Sequence, residues 1–156
     1  MGVKSPGFRV MLFPVSVKEG KFSVSPFDNA VVNGLPTDGY LVAKVKAGQM
    51  FGVTRIVAPK GAALLGDMFS PCDNNRGLVF EAPRAGQVVY LTDVEYVRDG
   101  NRLEVRYTNE MERAQGYMTQ RYSRMAGNLN KQEFQLMDAT KSCGPTTITI
   151  PVYIRR

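Results

Sequence analysis

The sequence predicts a mainly β chain with one helix: an antiparallel β-sandwich or barrel-like sheet, with a helix at about 110–126 packed against it. Three observations carry this. Apolar and polar residues alternate in short segments, clusters of Gly, Pro, Asn and Asp separate those segments, and one stretch changes to the three-and-four spacing of a helix face. At 156 residues the chain is expected to form one β-rich domain over 1–156, a size that buries roughly 70% of the surface the unfolded chain exposes.

In chain order, the alternating segments fall at about 8–17, 21–27, 39–47, 50–58, 78–82, 87–97, 102–108 and 146–154. The first contains VMLFPV, far shorter than the about 20 apolar residues that span a bilayer. With Lys4 and Arg9 before it, this run could imitate a signal-peptide core. No small-residue cleavage site follows before Lys18, Glu19 and Gly20, which favours a strand. The stretch 28–39, DNAVVNGLPTDG, is rich in turn residues. The stretch 59–77 is longer than most loops and is expected to carry a short helical turn at Ala62 to Leu65, a function, or both.

The segment 88–118 can be read residue by residue. A two-residue turn at Asp99-Gly100 would set Tyr96 opposite Leu103, Val94 opposite Val105 and Thr92 opposite Tyr107, giving one apolar face. The other face would carry Asp93 opposite Arg106, Glu95 opposite Glu104 and Val97 opposite Arg102, a solvated surface. A slip by one residue would mix the two faces. Asn109 then stands where it can cap a helix, with Glu112 completing a capping-box-like pair. Met111, Ala114, Met118, Tyr122 and Met125 form one helical face, and Gly127 marks a stop. Gly116 costs about 1 kcal/mol relative to Ala, so this helix needs the sheet for its stability.

The net charge of +6 admits an anionic partner, so a nucleic-acid or anionic-surface binder is the alternative functional reading. The charges are interleaved, however: Asp93, Glu95, Asp99, Glu104, Glu110 and Glu112 alternate with Arg98, Arg102, Arg106, Arg113, Arg121 and Arg124. That pattern suits a mixed surface. Histidine is absent, which removes the commonest general base, the Ser-His-Asp and Cys-His arrangements and the commonest zinc ligand.

The remaining chemistry-bearing residues are few. Cys72 and Cys143 are the only cysteines and do not form a C-x-x-C motif. A disulfide between them is the first reading and two unlinked thiols the second. A bridge would suit an oxidising compartment. Asp73, Asn74, Asn75 and Arg76 form a polar loop that could meet a partner, although ordinary turn chemistry explains it too. The cluster lacks the ligand spacing of an EF-hand. Asp93, Glu95 and Glu104 could suggest a histidine-free glycoside hydrolase, but a flat charged face is the simpler reading. GAALLGD lacks the Lys and hydroxyl of a phosphate loop. Tyr90, Tyr96, Tyr107, Tyr117 and Tyr122 could stack on bases, but their spacing places most of them in the core. No catalytic, metal-binding or cofactor-binding set is assigned.

RAGQVVYLTDVEYVRDGNRLEVRYTNEMERAQGYMTQRYSRMA resembles the second half of a group of poorly characterised bacterial cell-envelope proteins, often lipoprotein-like. The features are Ala85-Gly86 before the Tyr90-Leu91 strand, the hairpin, and a helix with Ala114 and Tyr122. GYLVAKVKAGQMFGV, with Ala47-Gly48, fits the same group, and the likeness covers roughly 39–127. The chain carries Ser123 where the group often has proline, and it shows no lipid-attachment cysteine near Met1. The resemblance implies a periplasmic or cell-surface β-sandwich without assigned catalysis, its signal or lipid anchor lying upstream of Met1. The expected function is therefore a non-enzymatic envelope domain that binds another protein or an envelope component, or acts structurally.

Overall fold

The computed structural model describes residues 1–60, 63–73, 75–142 and 152–154; it is mostly β with two short helices, and its sheets curl into a half-barrel. The strands are β1 (Gly2–Val3), β2 (Arg9–Pro14), β3 (Ser16–Lys18), β4 (Lys21–Ser23), β5 (Val32–Gly34), β6 (Met50–Lys60), β7 (Ala63–Phe69), β8 (Arg76–Glu81), β9 (Val88–Tyr90), β10 (Asp93–Asp99), β11 (Arg102–Thr108), β12 (Leu129–Lys131), β13 (Gln135–Ala139) and β14 (Val152–Ile154). The helices are α1 (Met111–Arg121) and α2 (Ser123–Ala126).

The large sheet runs β3-β4-β13-β8-β6-β2-β5, with β7 also paired to β6. A second sheet runs β1-β10-β11-β14, and β9 pairs with β12. The hairpin-linked pairs are antiparallel as expected, while β1–β10, β11–β14, β9–β12 and β4–β13 are parallel, so the sheets are mixed. On β6, Arg55 pairs with Met11 and Val53 with Leu12, which leaves Thr54 as an extra residue. Such a bulge sharpens the local twist and helps a long sheet curl.

The main core lies where the two larger sheets face each other. Val10, Phe51, Ile56, Leu78 and Phe80 come from the large sheet, and Val94, Tyr96, Leu103, Val105 and Tyr107 from the second. A smaller cluster of Val15, Phe22, Val79 and Ala139 covers the opposite face of the large sheet. β8 is thus buried on both sides, and a Cβ on its Gly77 would come within 2.8 Å of the Phe22 ring. Only glycine leaves room for that ring to approach the strand so closely.

The β10–β11 hairpin keeps the expected faces but shifts its register by two residues. Tyr96 pairs with Val105, Val94 with Tyr107 and Asp99 with Arg102, so the turn is Gly100-Asn101 with Gly100 at φ +55°. Glycine at the first central position suits a hairpin turn of matching twist. The shift also sets Glu95 opposite Arg106 instead of Glu104, replacing a like-charge pair with an ion pair at 3.5 Å. Tyr96, Leu103, Val94 and Val105 are buried, and Glu95, Glu104 and Arg106 are partly exposed.

Four other expectations need correction. The segment 39–47 alternates but is not a strand. β5 occupies the edge of β2, so this segment runs irregularly beside the sheet, held at one end by Leu41 N–H to the Met1 carbonyl (2.9 Å) and at the other by Gly48 N–H to the Ala82 carbonyl (3.0 Å). The helical turn expected near Ala62 to Leu65 is instead the start of β7, and Ala62 itself lies outside the described residues. Asp93, expected on a solvated face, is 1% exposed. The helix begins at Met111 with Glu110 as its N-cap and no side-chain cap, and it breaks at Tyr122 (φ −138°) before α2. Of its apolar stripe, Ala114 and Met118 are buried, Met111 and Tyr122 are half-buried, and Met125 is exposed.

Candidate functional site

The helix does not lie flat on the large sheet. α1 packs on β9 and β12 through Ala114, Tyr90 and Leu129, with Tyr40 joining the same cluster. That leaves an open cavity of about 690 Å³ between the helix and the sheet. Its floor is Val10, Leu12, Val53 and Phe80, and its helical wall is Ala114, Tyr117, Met118, Tyr122 and Met125. Tyr40 stacks on Tyr117 with ring centroids 4.3 Å apart, and Tyr117 meets Tyr122 at 6.1 Å, so a row of aromatic rings runs along that wall.

Two irregular segments form the lips. One is the run 40–47, whose Leu41 and Val45 pack inward while Val42 is 47% exposed. The other is the turn Pro83 to Gln87, closed by Gln87 N–H to the Arg84 carbonyl at 3.3 Å. A glycine at positive φ follows the first lip, Gly48 at +69°, and another sits within the second, Gly86 at +83°, where a side chain would be strained. Gly48 and Gln49 bond to Ala82, so the two lips diverge from one joint. The Ala47-Gly48 and Ala85-Gly86 pairs prominent in the sequence therefore serve one structure.

Two of the lining tyrosines, Tyr40 and Tyr90, border a buried polar group that includes Asp93, which does not itself line the cavity. Tyr90 donates its hydroxyl hydrogen bond to Asp93 Oδ2 (2.8 Å) and accepts one from the Glu110 backbone N–H (3.0 Å). This phenol thus ties the start of α1 to β9, while Asn109, expected to cap the helix, does not do so. Burial pushes the Tyr90 phenol well above its usual range; the Glu110 amide opposes this and Asp93 adds to it. Among the described residues, Asp93 Oδ1 and the Tyr40 hydroxyl have no hydrogen-bond partner. Tyr40 is also raised, first by burial and then by Asp93. The Glu110 carboxylate turns outward to Lys4 and Arg113, and these hydrogen bonds hold it below its usual range.

The sequence-predicted site residues lie elsewhere. Cys72 is fully buried, and Cys143 lies outside the described residues. Asp73 is exposed at φ +52° and donates its backbone N–H to the Lys141 carbonyl (2.7 Å). Asn74 lies outside the described residues. Asn75 donates to the Cys72 carbonyl through its side chain (2.9 Å), and Arg76 pairs with Asp138 at 3.4 Å. The Asp73 bond ties the loop to the segment after β13, the Arg76 pair ties the start of β8 to β13 itself, and the Asn75 bond stays within the loop. Of the carboxylates, Glu95 and Glu104 both pair with Arg106, and Asp93 is in the interior. Tyr96 and Tyr107 are core residues, whereas Tyr90, Tyr117 and Tyr122 line the cavity.

Many basic side chains are engaged internally. Lys4, Lys60, Arg76, Arg98, Arg106, Arg113 and Arg121 each form an ion pair, seven of the twenty Lys and Arg residues of the sequence. Among the described residues no group of three or more His, Cys, Asp or Glu side chains is placed to hold a metal ion, and no helix is long and apolar enough to cross a membrane. Comparison with protein-family profiles, with curated proteins and with solved structures finds no match.

The cavity itself was not legible as a site. Its lining comes from eight separate stretches between Met1 and Leu129, and no local pattern announces that they meet. Met125 read as part of the helix's apolar face and Val42 as one position of an alternating segment, so their exposure, 41% and 47%, was visible only in the structure.

Proposed function

We propose that this chain is a non-catalytic binding domain of the cell-envelope type, and that the cavity between α1 and the large sheet takes an apolar group of its partner. The carrying observation is the lining: Val, Leu, Met, Ala, Phe and Tyr side chains around a cavity of about 690 Å³ that opens to solvent. Volumes of roughly 300–1,000 Å³ with mostly apolar walls are typical of sites that enclose a small ligand. An apolar surface left uncovered in this way gains stability when an apolar group displaces water from it. The interleaving of acidic with basic side chains along the hairpin and α1 favours this reading over nucleic-acid binding.

The compartment is part of the same proposal. The bonds from Asp73 to Lys141 and from Ala139 to Asn75 bring the Cys72 turn beside the chain two residues before Cys143. That proximity supports a Cys72–Cys143 bridge formed outside the cytoplasm.

A charged pair of variants tests the cavity reading. Val42 and Met125 are 47% and 41% exposed, so Val42→Glu with Met125→Glu should change stability by no more than about 0.5 kcal/mol per site. Dodecanol binding, measured by calorimetry, should weaken at least about ten-fold, or about 1.4 kcal/mol. Unchanged dodecanol affinity in a folded double variant would place the apolar site elsewhere.

A further inference from the structure

The cavity's charged lining is one-sided. Among the described residues that line it, Lys44 and Arg84 are the ones with charged side chains, and no Asp or Glu joins them; the Met1 amino group, also in the lining, is buried against the Leu41 carbonyl, and burial lowers its pKa to about 6. Both side chains are exposed, Lys44 on the first lip and Arg84 in the turn of the opposite lip. Neither is engaged in an ion pair among the described residues, whereas Arg98 and Arg106 of the hairpin and Arg113 and Arg121 of α1 are. The backbone holds them there: the joint at Gly48 and Ala82 fixes where the lips part, and the Arg84–Gln87 turn bond fixes the second lip. Two cations therefore stand at the mouth of a cavity whose depth is hydrocarbon and phenol.

We infer that the ligand is a single-chain amphiphile with an anionic head, a carboxylate or a phosphate, whose tail enters the cavity while the head stays between Lys44 and Arg84. This rests on the cavity reading above and adds the head-group chemistry. A hydrated cation at the rim suits a head that remains partly in water, since no buried charge has to be compensated. An arginine on one lip and a lysine on the other offer both a forked and a point-like donor to the same anion. The tail contributes affinity through the apolar area it removes from water, and the two cations contribute selectivity between heads.

The test compares three probes with the same twelve-carbon tail: dodecanoate, dodecanol and dodecyltrimethylammonium, each titrated below its micelle concentration. Wild-type protein should bind dodecanoate about ten-fold more tightly than dodecanol, a difference of about 1.4 kcal/mol, and the ammonium more weakly than either. Lys44→Gln with Arg84→Gln should abolish the preference for dodecanoate and leave dodecanol affinity unchanged. Equal affinity of wild type for dodecanoate and dodecanol, or a double variant that keeps the preference, would overturn the head-group assignment while leaving the cavity reading intact. Binding of none of the three would overturn both. Vesicles of anionic phospholipid form a further arm. Retention on vesicles that is lost in the double variant, without binding of soluble dodecanoate, would contradict a single-chain ligand.

Discussion

Truncating Phe51 to alanine should cost about 3 to 5 kcal/mol, the range for removing a buried aromatic from a close-packed core. Phe51 is 1% exposed on β6, the strand that pairs with β2, β7 and β8, and its ring lies 6.0 Å from that of Phe80. The ring faces the hairpin sheet, so its loss opens a void between the two layers where neither can collapse without breaking ladder hydrogen bonds. Since domains are commonly stable by only 5–15 kcal/mol, the variant should approach the limit of folding. Urea denaturation measures this directly. A loss below about 1 kcal/mol would mean that the two sheets do not share this core.

Reducing the proposed Cys72–Cys143 bridge should have an effect of similar size. The positions are 71 residues apart by subtraction (143 − 72), for which the chain-entropy account gives about 4 to 5 kcal/mol, less any native strain. For a chain of this length that corresponds to a fall in melting temperature of roughly 8 to 20 °C. Thiol titration of the denatured, unreduced protein from its native source should find no free thiol. Two titratable thiols and a melt insensitive to reductant would remove the argument for an oxidising compartment.

How far the sequence could be read depends on whether its physical signals were local. The faces of β10 and β11 were legible because side chains alternate with period two and a shift of two residues keeps that parity; the exact register was less so, since Asp99-Gly100 and Gly100-Asn101 are both acceptable turns. The stripe of Met111, Ala114 and Met118 announced a helix correctly, but its interruption at Tyr122 and the exposure of Met125 depend on the cavity beneath them. Alternation in 39–47 reported a segment with one side turned inward. It could not report whether a sheet edge was free to receive that segment, because the edge is filled by β5, whose Val32–Gly34 lies in a stretch dominated by turn residues. Asp93 read as solvated because its neighbours Glu95 and Arg106 are, whereas its own surroundings are set by Tyr90, three residues away, and by Gly2, whose missing side chain leaves space for the carboxylate. β12 and β13 carry too few alternating residues to be seen as strands before their partners β9 and β8 are known.

The claim that an apolar ligand enters the cavity can be examined through the protein's own methionines. Met1, Met118 and Met125 line the cavity, and Met11, Met50, Met68, Met111 and Met137 do not. Methyl resonances assigned by single Met→Leu replacements report on each position separately. Titration of methyl-labelled protein with dodecanoate should move the Met118 and Met125 signals saturably, with one shared dissociation constant, while Met11, Met50, Met68 and Met137 stay in place. Saturable shifts centred on Met68 or Met50 with Met118 and Met125 unmoved, or no saturable shift at any methionine, would contradict the assignment of the cavity as the binding site.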